Sequence, residues 1–80
     1  MKGMRMIMKT KDEKAVQMFR DQVPFQAVVW TGDSRGKTEH FYVNIGGGKC
    51  VKVAAISHDY DTDRYILYMV RDDSMTTERL

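Results

Sequence analysis

The sequence predicts an α+β domain in which one N-terminal helix packs on a four- or five-stranded antiparallel meander sheet, in the order β-α-β-β-β-β, with curling into a small barrel as one way to complete it. Three observations carry this prediction. Apolar residues recur at helical spacing between residues 10 and 23; from Phe25 the period changes to two. The segments between the alternating runs are short, and parallel neighbours would need a crossover of about a dozen residues or more.

In order along the chain, Met4, Met6 and Met8 alternate with Arg5, Ile7 and Lys9, which predicts a first strand over Met4 to Lys9 with its methionines on one side. Thr10 and Glu13 form T-x-x-E, a capping box in which the hydroxyl accepts from the Glu13 N–H while the carboxylate reaches back to the Thr10 N–H. Asp12 and Glu13 suit the positive end of the helix dipole. Ala15, Val16, Phe19 and Val23 form the apolar stripe, with Met18 beside it, and Pro24 ends the helix at or before Val23. Phe25 to Thr31, Thr38 to Ile45, Cys50 to Ile56 and Arg64 to Arg71 then read as strands, rich in Val, Ile, Tyr, Phe and Trp. The turn segments Gly32 to Gly36, Gly46 to Gly48 and Ser57 to Asp63 separate them, so consecutive strands should be antiparallel neighbours. Asp72 to Leu80 shows no period. The expectation is a single domain over residues 1–73 and a flexible C-terminal tail over 74–80.

Composition bounds the function. Eighty residues leave room for one domain, since domains commonly run to ~100–150 residues. A composition of 42% hydrophobic and 30% charged residues excludes a disordered or collagen-like chain. Seven Met stand against one Pro and one Cys. Cys50 has no disulfide partner and no Cys/His cluster around it, so it reads as a small core residue in a reducing, cytoplasmic protein. The longest apolar runs are far short of the ~20 residues a membrane helix needs. Lys2, Arg5 and Lys9 interrupt any secretory apolar region, so export is not expected. Charge is uneven: residues 1–20 carry six basic side chains against Asp12 and Glu13, whereas residues 57–73 carry five Asp against Arg64 and Arg71. A net charge of +2 is weak for a polyanion binder.

Several motifs lose their chemical meaning in context. Ser57-His58-Asp59 holds the residue types of a hydrolytic triad, but consecutive side chains in extended backbone point to alternate faces. Asp59, Asp61 and Asp63 match positions 1, 3 and 5 of a calcium loop; position 6 is then Arg64 instead of Gly, and position 12 is Val70 instead of Glu. Gly46-Gly47-Gly48-Lys49 looks like part of a phosphate loop but continues into Cys50 and a strand, so its glycines suit a tight hairpin. His40 and His58 lie on different elements without further ligands and are read as solvent-facing. No catalytic, cofactor-binding or metal-binding residue is expected, and no cofactor.

The informative feature is an excess of apolar sheet surface. One helix covers one face, yet the strands carry apolar residues on both: Ala27 and Val29 oppose Val28 and Trp30; Tyr65, Leu67 and Met69 oppose Ile66, Tyr68 and Val70. In the fourth strand Val51, Val53 and Ala55 should oppose Cys50, Ala54 and Ile56. Closure into a barrel, a homodimer or a foreign protein would each hide the second face. The leading expectation is a non-enzymatic protein-interaction module, an inhibitor or regulator of a larger protein or nucleoprotein complex; a small accessory protein of a virus, phage or other mobile element would fit it. The candidate partner-binding residues are Trp30, Arg35, Tyr42, Lys52, Tyr65 and Tyr68, drawn from the types that dominate binding hot spots. The alternative is a nucleic-acid-binding module in which Trp30, Tyr42, Lys52 and Arg35 form an aromatic and basic sheet face.

Overall fold

A computed structural model describes residues 3–71 and 77–79. Strand β1 (Met4–Thr10) leads into helix α1 (Glu13–Gln22), followed by β2 (Ala27–Asp33), β3 (Gly36–Gly46), β4 (Lys49–Asp59), β5 (Arg64–Val70) and the short β6 (Thr77–Arg79). The sheet order is β1-β5-β4-β3-β2, all antiparallel, with β6 pairing the start of β4 at Lys49, Cys50 and Val51. The meander and the single helix stand as the sequence predicts. Of the 74–80 segment, residues 74–76 and 80 lie outside the described residues, and Thr77–Arg79 is a strand that no periodicity announces.

The helix starts two residues later than the T-x-x-E reading places its cap. Thr10 is the last residue of β1, opposite Tyr65, so its backbone is committed to the sheet. Asp12 is the cap instead: its backbone is extended (φ −81, ψ 107) and its Oδ1 accepts from the Lys14 N–H at 2.9 Å. The Thr10 hydroxyl accepts from the Asp12 N–H at 2.9 Å, fixing the link between strand and helix. At the other end Val23 is extended (ψ 122), as the residue before Pro24 must be, and its N–H closes on the Phe19 carbonyl at 3.1 Å.

The core lies between α1 and one face of the sheet. Val16 and Val23 pack with Phe41, Ala54, Ile56 and Leu67, and Phe19, Val28, Val53, Tyr65 and Met69 surround them. Closure into a barrel does not occur: β1 and β2 are the two edges of the sheet. The chain crosses from one edge to the other through α1, which packs Val16 and Val23 on the sheet.

Two bulges revise the predicted faces. The register steps from Met6↔Tyr68 to Met8↔Leu67, so Ile7 is an extra residue; Met4 and Met6 point away from the helix while Met8 joins Leu67 on the helix side. In β4 the register steps from Phe41↔Ala54 to Tyr42↔Lys52, making Val53 the extra residue. Ala54 and Ile56 therefore face the helix and Ala55 the open side. Beyond the bulge Lys52 and Cys50 share that open side with Tyr42 and Asn44, and Val51 does not. Cys50 is fully buried, as expected, although it lies on that side and outside the cluster packed under α1.

Candidate interaction surfaces

Register places each side chain in a row across the sheet. On the face away from α1, one row reads Met6, Tyr68, Ala55, His40, Val29 from edge to edge, and the next reads Lys9, Ile66, Ser57, Thr38, Thr31. The first is mainly apolar, with Met6 58% and Val29 42% exposed at its ends and Tyr68 half-buried near its centre. Ile66 and Val70 flank Tyr68 on the same face. Within the second row the Thr38 and Ser57 hydroxyls lie 2.9 Å apart, and Thr31 Oγ1 ties that row to the first by meeting His40 Nε2 at 2.9 Å. The result is a face mainly apolar along one line, with Ala55 buried at its centre, and hydroxyl-rich along the next.

On the helix side the rows are Arg5, Met69, Ala54, Phe41, Val28; then Met8, Leu67, Ile56, Glu39, Trp30; then Thr10, Tyr65, His58, Lys37, Gly32. Glu39 is buried there because Arg20 of α1 reaches it, donating from Nε to Oε2 at 3.2 Å and from its terminal nitrogen to Oε1. The hydrogen bonds it donates to Glu39, and the charge of that carboxylate, push the Arg20 guanidinium pKa further up, against the opposing effect of burial. Tyr65 sits beside this pair; burial first, and then the charges of Glu13 and Asp63, raise its phenol above the usual value. A cleft of about 210 Å³ lined by Glu13, Gln17, Arg20 and Tyr65 opens between helix and sheet.

The third row escapes the helix and meets the two hairpin tips. The His58 ring stacks on Tyr65 with centroids 4.1 Å apart, meets Tyr60 edge-on at 5.2 Å, and its Nε2 lies 2.8 Å from Asp63 Oδ1. His58 is thus held in an aromatic stack, not directed to solvent. Lys37 Nζ lies 4.5 Å from the centre of the Trp30 ring, and a depression of about 270 Å³ between Trp30, Lys37 and Tyr60 is floored by Gly32 and Gly36. A Cβ on either glycine would come within 2.6 Å of a carbonyl oxygen, so both must remain glycine for the strands to approach. Carboxylates ring this end: Asp33 Oδ1 accepts from the Arg35 N–H at 2.8 Å, Asp59 Oδ1 accepts from the Asp61 N–H at 3.0 Å, and Asp63 meets His58. The hydrogen bond from the Arg35 backbone holds the Asp33 carboxyl below the usual range. Of the aspartates of the calcium-like spacing, Asp59 accepts from its own loop and Asp63 meets His58, and no group of three potential ligands converges among the described residues.

The six candidate residues divide between these surfaces. Tyr68 lies on the open face. Tyr42 and Lys52 are cross-strand neighbours on that same side, Tyr42 being buried. Trp30 and Tyr65 lie on the helix side, and Arg35 is in the β2–β3 turn, 3.5 Å from Asp33. Trp30, Tyr42, Lys52 and Arg35 therefore do not assemble into one aromatic and basic face. Lys37 and Tyr60 go unnoticed from sequence, and His58 is weighed there only as part of the triad-like run and as a solvent-facing ring; reading Ser34-Arg35 as a two-residue turn would have put Lys37 diagonally across from Trp30. Ser57 and Asp59 point opposite to His58, so the triad-like run has no relay geometry. Among the described residues no helix is long and apolar enough to cross a membrane. Comparison with known proteins finds no matching family model, no similar curated protein and no similar solved structure.

Proposed function

We propose that this chain is a non-enzymatic protein-binding module, an inhibitor or regulator that acts by docking its open sheet face on a larger protein. The observation that carries this reading is the row from Met6 through Tyr68 to Val29, an apolar line across five strands on the side opposite the helix. Apolar surface rimmed by polar groups suits a protein interface, with Tyr68 as anchor and Met6 as an adaptable edge contact. The adjoining Ser57, Thr38 and Thr31 hydroxyls supply the polar rim. The test is affinity purification with tagged wild type, Tyr68→Ser and Met18→Ser, the last changing an exposed methionine of α1. A protein captured by wild type and Met18→Ser but lost with folded Tyr68→Ser supports the reading; equal capture by all three sinks it.

Nucleic acid is the second reading, favoured by the Lys37–Trp30 pair and the neighbouring Tyr60 and His58 rings. Against it, a phosphate approaching this end meets Asp33, Asp59, Asp61 and Asp63. Single-stranded oligonucleotides are accordingly expected to bind weakly at low salt; tight binding with a steep loss on adding salt, abolished by Lys37→Ala, would establish this reading instead.

A further inference from the structure

The two edges of the sheet are not alike. Strand β1 is interrupted by the bulge at Ile7 and carries Arg5 and Lys9, devices that discourage another strand from pairing. Strand β2 has none: from Ala27 to Gly32 it contains no charge and no proline, its register with β3 is unbroken, and every residue from Val29 onward is exposed. Its hydrogen-bonding phase follows from β3. The Tyr60 N–H donates to the Arg35 carbonyl at 3.0 Å, flanking the Gly36↔Asp59 pair, so the Gly36 backbone groups point the other way, to Asp33 of β2. Counting by two, Thr31, Val29 and Ala27 also bond to β3, and the N–H and C=O groups of Val28, Trp30 and Gly32 face outward.

We propose that β2 pairs with β2 of a second copy of this chain, antiparallel about a two-fold axis at Trp30, joining two sheets into one. The occupant of this edge must be an extended, uncharged strand presenting three alternate residues in matching phase, and β2 is such a strand. With the axis at Trp30, each protomer sets its Trp30 against that of its partner and its Val28 against Gly32, whose missing side chain leaves room. A net charge of +2 per copy opposes this approach little. The seam covers Trp30, 52% exposed, and Val29, 42% exposed. A two-strand seam is small beside the ~1,200 Å² of a standard stable interface, so the association is concentration-dependent and not obligate. It covers only Val29 at the end of the open-face row, leaving Met6 to His40 free, and it rests on backbone geometry instead of the protein-docking reading, so either can fail without the other.

The test is light scattering on the full chain from micromolar to near-millimolar concentration, with amide hydrogen exchange read at the same concentrations. The expected results are a mass rising from 9.3 kDa toward twice that value and slowing exchange at Val28, Trp30 and Gly32. Val29→Lys, which puts a charge on the seam, abolishes the rise, whereas Met6→Lys, the same change at the opposite edge, preserves it. Should Val29→Lys lose its fold by circular dichroism, Trp30→Pro replaces it, since proline there removes an outward donor and no bond to β3. A mass of 9.3 kDa at every concentration overturns the proposal. So does a dimer that survives the folded β2 variant or exchange at the three amides that ignores concentration.

Discussion

Arg20 and Glu39 form the ion pair with the most to lose, because Glu39 is buried while the partners Arg35 and Asp33 of the hairpin tip stand in solvent. Arg20→Met leaves a carboxylate buried without its donor and is expected to cost about 1–3 kcal/mol in urea unfolding, with part recovered in the double variant Arg20→Met/Glu39→Gln. Arg35→Met should cost under about 0.5 kcal/mol by the same measurement, as exposed pairs do. Tyr65 supplies a pH prediction. Its folded pKa is raised, chiefly by burial, so the native state holds the phenol proton more tightly than the unfolded chain. The associated stability is complete below the unfolded value near 10 and is lost as pH rises through the folded value. Thermal melts from neutral to strongly alkaline pH should therefore fall more steeply for wild type than for Tyr65→Phe; parallel curves would remove Tyr65 from the account. None of this was legible in the chain: Arg20 and Glu39 lie on different elements, and only the crossing of α1 over β3 brings them together.

At the scale of elements, the helix was readable because its stripe and its stop are local: Val16, Phe19 and Val23 keep one face, and Pro24 forces Val23 out of helical backbone. The cap was misplaced because T-x-x-E competes with the demand of β1 for Thr10, and Asp12 was equally able to cap. The two roles can be separated by measurement. Asp12→Ala should lower stability by about 1 kcal/mol, and Thr10→Ala by less, since its hydroxyl only braces the cap; the reverse order in denaturant titrations would restore Thr10 as cap. The strands were legible from their period, and so were the faces of β2 and β5, but those of β1 and β4 were not. Ile7 and Val53 are ordinary strand residues, and what makes each an extra residue is the register of a neighbour distant in sequence. The triple glycine was correctly a turn, with φ of 95, 63 and 72 at Gly46, Gly47 and Gly48.

For the whole molecule, the excess of apolar sheet was visible in the alternation of β5, and the sheet does not close into a barrel to hide it: on the second face Met6 and Val29 stay exposed at the edges, while Ala55, Tyr42 and Cys50 are buried. What lay beyond the sequence was how the six candidate residues divide between faces, since one bulge in β4 moves Lys52 and Cys50 to the side of Tyr42. The sheet order has a kinetic consequence. Hairpins β2–β3, β3–β4 and β4–β5 close loops of a few residues, whereas β1 must return across nearly the whole chain to set Met4 against Val70. Loop-closure entropy therefore favours a nucleus in the central hairpins, with β1 docking last. Substitutions in the β3–β4 core such as Ile56→Val should slow refolding, while Met8→Ala in β1 should chiefly accelerate unfolding; stopped-flow rates showing the opposite pattern would place the nucleus at the chain's ends.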